Sequence, residues 1–109
     1  MNRDELLPGT LALLILRTLG RGAEMHGFEI ARSIQQNSQD ILQVEEGSLY
    51  PALQRMLVKG WVKAEWGVTD ENRRARYYRL TPAGKKQMEV ETAQFARVMG
   101  AIVRVIQTA

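Results

Sequence analysis

The sequence predicts a mainly α-helical protein with one small β-hairpin. Apolar residues recur at helical spacing in four separate stretches. One region, residues 61–80, instead alternates apolar and polar side chains on either side of a polar loop. The 109 residues contain no repeat, low-complexity tract or Gly/Ser-rich linker, and that length suits a single modest core.

The first helix is expected from about Thr10 to Leu19, with Thr10 as N-cap and Gly20 and Gly22 as stops. Leu11, Leu13, Leu14, Ile15 and Leu16 make it apolar almost all round, so it needs partners on more than one side. The surrounding run LLPGTLALLILRTL is too short for a membrane span, which takes about 20 apolar residues. Asp4 and Glu5 stand where a secretory leader would carry positive charge. A buried helix and no membrane partner are therefore expected. A second helix starts near His26 or Gly27 and runs to about Gln36, with Gly27, Ile30, Ala31 and Ile34 on its core face. NSQDILQVEEG reads as a loop with a brief extended piece at Leu42–Val44.

The third helix falls in EGSLYPALQRMLVKG, which places Pro51 among helically spaced apolar residues. Proline inside a helix removes a donor and clashes with the preceding turn. With Ser48 as N-cap, Leu49, Tyr50 and Pro51 become the first helical residues, whose N–H groups have no intrahelical partner, so proline loses little there. On a helical wheel Leu49, Ala52, Leu53, Met56 and Leu57 form the core side. Pro51, Gln54, Arg55 and Val58 face the other way, flanked by Ser48, Tyr50 and Lys59.

WVKAEWGV follows, with Val62, Ala64 and Trp66 alternating with Trp61, Lys63 and Glu65; after the loop TDENRRA comes RYYRL, with Tyr78 and Leu80 on one face. The two make a hairpin. Thr81-Pro82 is a strong helix start. In the long helix beyond it, Met88, Thr92, Phe95, Met99, Ile102 and Ile106 are spaced 4, 3, 4, 3, 4, a heptad seam. Val98, Val103 and Val105 broaden that face. So much apolar surface on one helix calls for a second body, so residues 82–109 are read as a dimerisation arm on a domain of residues 1–81. The apolar first helix, from Leu11 onward, is the natural complementary surface, and the expected partner is a second copy of the chain.

Composition narrows the chemistry. There is no cysteine, which excludes disulfides and thiolate metal sites and is compatible with a cytoplasmic location. His26 is the only histidine, and no nucleophile–base pair is evident. The adjacent acids Glu45 and Glu46 read as a solvated helix start. No enzyme activity, metal or cofactor is expected. The net charge of +3 is unevenly spread: residues 47–86 hold nine basic and three acidic side chains, whereas residues 1–46 hold four and seven. A local basic patch attracts polyanions.

Three helices, a basic-tipped hairpin and a further helix is the order of a winged helix-turn-helix, in which the third helix enters the major groove of double-stranded DNA. Gln54 and Arg55 are side chains that read adenine and guanine edges. Ser48, Tyr50 and Lys59 suit phosphates, which set register. Pro51 lies on the same outward face. Arg73, Arg74 and Arg76 in the hairpin loop suit phosphates or a narrow minor groove, provided Asp70 and Glu71 point away. A winged-helix protein–protein adaptor is the alternative; it would lack a basic recognition face.

HGFEIARSI, EEGSLYPALQRMLVKGWV and RRARYYRLTPAGKKQ resemble the PadR family of bacterial transcriptional regulators, over roughly residues 6 to 90. The resemblance implies a dimeric repressor with the final helix as dimer arm, and puts Ser48, Tyr50 and the loop arginines on DNA. Some similar proteins hold aromatic or drug-like ligands between subunits. A small aromatic effector here would have Phe95 as the single aromatic of the final helix.

Overall fold

The computed structural model describes residues 9–108. Its elements are α1 (Thr10–Leu19), β1 (Met25–His26), α2 (Gly27–Asn37), α3 (Glu46–Val58), β2 (Val62–Val68), β3 (Arg74–Leu80) and α4 (Pro82–Gln107). The mainly helical class with a small antiparallel sheet is as expected. The leader argument from Asp4 and Glu5 lies outside the described residues.

α1 is the hub. Leu13, Ile15, Leu16 and Leu19 are buried, and α2, α3, α4 and β3 all lie against the helix, which is how so apolar a segment is covered. Thr18 is buried too, its hydroxyl donating to the Leu14 carbonyl at 2.7 Å. Thr10 is not the N-cap: Gly9 holds that position with φ 81°, and Thr10 is the first helical residue. The core is completed by Ile30 and Ile34 of α2, Leu49, Ala52, Leu53 and Met56 of α3, Val62, Tyr78 and Met88.

α2 begins with a capping box at His26. The imidazole Nδ1 accepts from Glu29 N at 3.4 Å, and Glu29 Oε1 accepts from His26 N at 3.1 Å. His26 also ends β1, which pairs antiparallel with β3 through Met25↔Tyr78 and His26↔Tyr77. The sheet order is therefore β1-β3-β2, with a third strand that the hairpin reading lacked. Residues 42–44, expected as a brief extended piece, form no paired strand. Leu42 N instead donates to Ser38 Oγ at 3.0 Å in a turn, and Leu42 and Val44 pack against the core as irregular chain.

The start of α3 corrects the sequence reading. Its first residue is Glu46, and both Ser48 N and Leu49 N donate to the Glu45 carbonyl, at 3.0 and 2.9 Å. Ser48 is thus inside the first turn rather than the N-cap, and Pro51 is a true interior proline that leaves the Gly47 carbonyl without its i+4 donor. Gly47 is exposed, so water can replace that donor, and the buried Leu49, Ala52, Leu53 and Met56 hold the helix regardless. Pro51→Ala is accordingly expected to keep the fold and raise stability, by about 1–2 kcal/mol once the stiffer unfolded chain of the proline protein is discounted. For a domain of this size that is a rise of about 5–10 °C in Tm, read by a thermal melt followed by circular dichroism. A fall in Tm would mean the ring makes contacts that outweigh the lost hydrogen bond.

Thr81 joins the hairpin to α4. Its hydroxyl accepts from Gly84 N at 3.0 Å, as a helix cap, and donates to the Gly60 carbonyl at 2.6 Å. Gly84 is required by close approach, because a Cβ there would collide with the Trp61 carbonyl. α4 then runs for 26 residues, about 39 Å at 1.5 Å per residue. Only Gly84 and Met88 of it are buried, so its C-terminal half leaves the domain as an arm. No helix among the described residues is long and apolar enough to cross a membrane.

Candidate nucleic-acid interface

The outward face of α3 carries Pro51, Gln54, Arg55 and Val58, all exposed, with Ser48 and Lys59 exposed at its ends. Lys59 follows the helix as its C-cap and sets its ammonium 4.6 Å above the Trp61 ring. Tyr50 is half-exposed, and its ring lies over Gly27, where a Cβ would stand 2.6 Å from the hydroxyl oxygen and displace the ring. Partial burial first, then Glu46 and Tyr78, push the Tyr50 pKa up. Its hydroxyl is therefore a proton-bearing donor throughout the physiological range.

The hairpin differs in detail from its sequence reading. Its loop is 69–73, closed by Thr69 N donating to the Arg73 carbonyl at 2.8 Å and Arg73 N donating to Thr69 Oγ1 at 3.1 Å. Arg73 is in that loop, but Arg74 and Arg76 belong to β3. The ladder Val62↔Leu80, Ala64↔Tyr78, Trp66↔Arg76, Val68↔Arg74 continues the core face of the sheet outward beyond the core. Trp66, expected with Val62 and Ala64, is on that face yet 59% exposed, because no helix covers the outer half of the hairpin. Arg74 and Arg76 cover it instead, their guanidinium carbons 4.5 and 5.7 Å from the indole centre. On the opposite face Arg79 is set against Glu65 at 3.7 Å.

α3 and the hairpin border one cleft of about 550 Å³. His26, Gly27 and Phe28 form one wall, Tyr50 the next, and Trp66, Arg73, Arg74 and Arg76 the far side. Glu71 lines it as well, so the expectation that both loop acids turn away does not hold for this one. Of the expected DNA-contact residues, the cleft gathers Tyr50 and the three arginines, while Ser48, Pro51, Gln54, Arg55 and Lys59 stand along the exposed α3 face. His26, Gly27, Phe28 and Trp66 were missed. Trp66 could have been found from strand alternation had the hairpin register been known. The α2 start could not, because it meets β3 through contacts between residues far apart in sequence.

A second groove of about 440 Å³ runs between α1 and α4, lined by Thr10, Leu13, Phe95, Val98, Met99 and Ile102 among others. Phe95, Ile102 and Ile106 are exposed at 37%, 42% and 74%, and Met99 is partly buried. One member of the expected dimerisation set is placed otherwise. Met88 is buried in its own domain, its sulfur beside Gly20, and so cannot serve a seam with another chain. Leu11 is partly buried against the core.

The same architecture occurs in proteins of known structure. A transcriptional regulator from Clostridium thermocellum is similar at 27% identity with a TM-score of 0.82, over 91% of this chain and 95% of that one. A PadR family transcription regulator from Clostridium difficile is similar at 26% identity with a TM-score of 0.75, over 90% and 99%. An uncharacterized protein from Lysinibacillus sphaericus is 29% identical over 98 residues, covering 90% of this chain and 89% of its own length. The pattern of the transcriptional regulator PadR-like family matches residues 15–90, from within α1 to the buried start of α4. α2, α3, the hairpin and every residue of the cleft fall inside that match, and the chain belongs to the PadR-like family of transcriptional regulators.

Proposed function

We propose that this PadR-like regulator, which like its family is not an enzyme, is a repressor that binds a two-fold symmetric operator as a homodimer. The observation that carries the reading is that Tyr50 of α3 and the three hairpin arginines line one cleft, while the rest of the outward α3 face, with Gln54 and Arg55, is exposed. α3 enters the major groove, with Gln54 and Arg55 at base edges and Ser48, Tyr50 and Lys59 on the backbone, while the hairpin contacts the flanking strand. Residues 82–109 form the dimer arm: Phe95, Met99, Ile102 and Ile106 of each copy close the α1–α4 groove of the other. An effector is not part of this reading, and a cytoplasmic location accompanies it.

The test is selection from random DNA with the purified protein. The expected product is an inverted repeat whose half-sites lie about one helical turn, roughly 34–36 Å, apart or a multiple of it. A pool without enrichment would refute the reading. Gln54→Ala and Arg55→Ala are expected to relax the preference at one or two positions in each half-site, each costing about 1–3 kcal/mol of discrimination. Repeating the selection with each variant measures this, and an unchanged profile removes that residue from base reading.

A further inference from the structure

The arginines of the hairpin are held in two different ways. Arg79 faces a carboxylate, Glu65, at 3.7 Å, which partly neutralises its charge. Arg74 and Arg76 lie instead against the face of Trp66. An aromatic face attracts a guanidinium through its π-electrons and accepts none of its in-plane N–H bonds, so it orients the cation while leaving its donors available. Arg76 carries this furthest. Its Nε has no hydrogen-bond partner in the fold, so no carboxylate or carbonyl of the chain holds that donor.

Arg76 lines the same cleft as Tyr50, whose ring is pinned against Gly27 and whose hydroxyl burial keeps protonated. The charges around the cleft are Arg73, Arg74 and Arg76 against Glu71, with His26 at the edge, so it is net cationic. A fork of guanidinium donors facing a neutral hydroxyl donor across the cleft suits a tetrahedral oxyanion.

Building on the DNA-binding reading, we propose that the cleft seats one backbone phosphodiester of the operator, with Arg76 and Tyr50 donating to its oxygens. Trp66 is the positioning residue that holds Arg76 for it. Arg76 and Arg73 thus differ in kind: Arg73 at the loop end adds charge, whereas Arg76 is directed to a single phosphate.

The test uses the full chain and its selected operator, with single phosphates replaced in turn by neutral methylphosphonates and affinity read by fluorescence anisotropy. One position in each half-site should weaken the unsubstituted protein roughly tenfold. At that position Arg76→Gln should already be weak and lose nothing more, and its salt slope should be shallower by about 0.9 per half-site. Trp66→Ala should lose the same coupling with an unchanged Tm, while Trp66→Phe, which keeps an aromatic face, should retain it. Additive effects of Arg76→Gln and methylphosphonate at every position would overturn the seat, as would full coupling in Trp66→Ala. Free phosphate is the other source of the same chemistry. Inorganic phosphate that displaces operator from the wild type at submillimolar concentration, but not from Arg76→Gln, would assign the cleft to a small anion and overturn the proposal. If the unsubstituted protein selects no DNA, the parent reading falls as well; loss of the coupling alone removes only the seat.

Discussion

The triple variant Arg73→Ala, Arg74→Ala, Arg76→Ala is expected to bind operator and unrelated DNA alike far more weakly, by up to about five orders of magnitude near 0.1 M salt. Each arginine on a phosphate releases counterions, and log K falls with log salt by about 0.9 per contact. With six such side chains in a dimer, the slope should drop by about 5. Most of the affinity at low salt is lost with it, whereas base discrimination by Gln54 and Arg55 is retained. Arg73 and Arg74 are exposed and none of the three belongs to the core, so the variant should stay folded, with Tm lowered only by the loss of the two guanidinium contacts on Trp66. Anisotropy titrations at several salt concentrations measure the slope directly. A variant with the wild-type slope would remove the hairpin from the interface.

Ile102→Glu is expected to turn a micromolar dimer into a folded monomer. Ile102 is 42% exposed in the single chain and lines the α1–α4 groove beside Phe95, Val98 and Met99. Two-fold symmetry puts the substitution into the interface twice. In the proposed dimer each copy forfeits about 1.5–3 kcal/mol of apolar burial and must also desolvate a carboxylate, at several kcal/mol. Dimer affinity should fall by more than about a thousandfold, since each 1.4 kcal/mol is tenfold. Sedimentation velocity reads the mass, and the melting curve of the monomer should show an intact domain, because Ile102 is exposed in the single chain and is not one of the buried core residues. The monomer should bind a half-site only weakly. A dimer that survives Ile102→Glu would move the interface away from this part of α4.

Both expectations depend on features that differ in how far they can be read along the chain. The extent of α1, the start of α2 and the Thr81-Pro82 opening of α4 follow from periodicity and capping within a few residues. The outward set on α3 follows from its wheel, because the same residues that repeat every three or four positions must bury together. Charge density in the middle third is likewise a property of the chain itself. Where the reading failed, a distant partner intervened. Met88 belongs to the heptad pattern, yet it is drawn into the core beside Gly20, far away in sequence. α3 starts at Glu46 although Pro51 argues locally for a later start, because the burial of four core residues outweighs one missing hydrogen bond.

Neighbouring residues and composition are enough to place the four helices and the hairpin in order, their apolar faces and the basic, cysteine-free character of the chain. The closing of the sheet by β1 against β3, the position of Trp66 under Arg74 and Arg76, and the facing of Tyr50 and the α2 start across one cleft arise only in the folded chain. Strand register and the meeting of elements depend on contacts between residues tens of positions apart. A shift of one residue in the hairpin would carry Trp66 and its arginines to the opposite face of the sheet and leave the cleft without its charge.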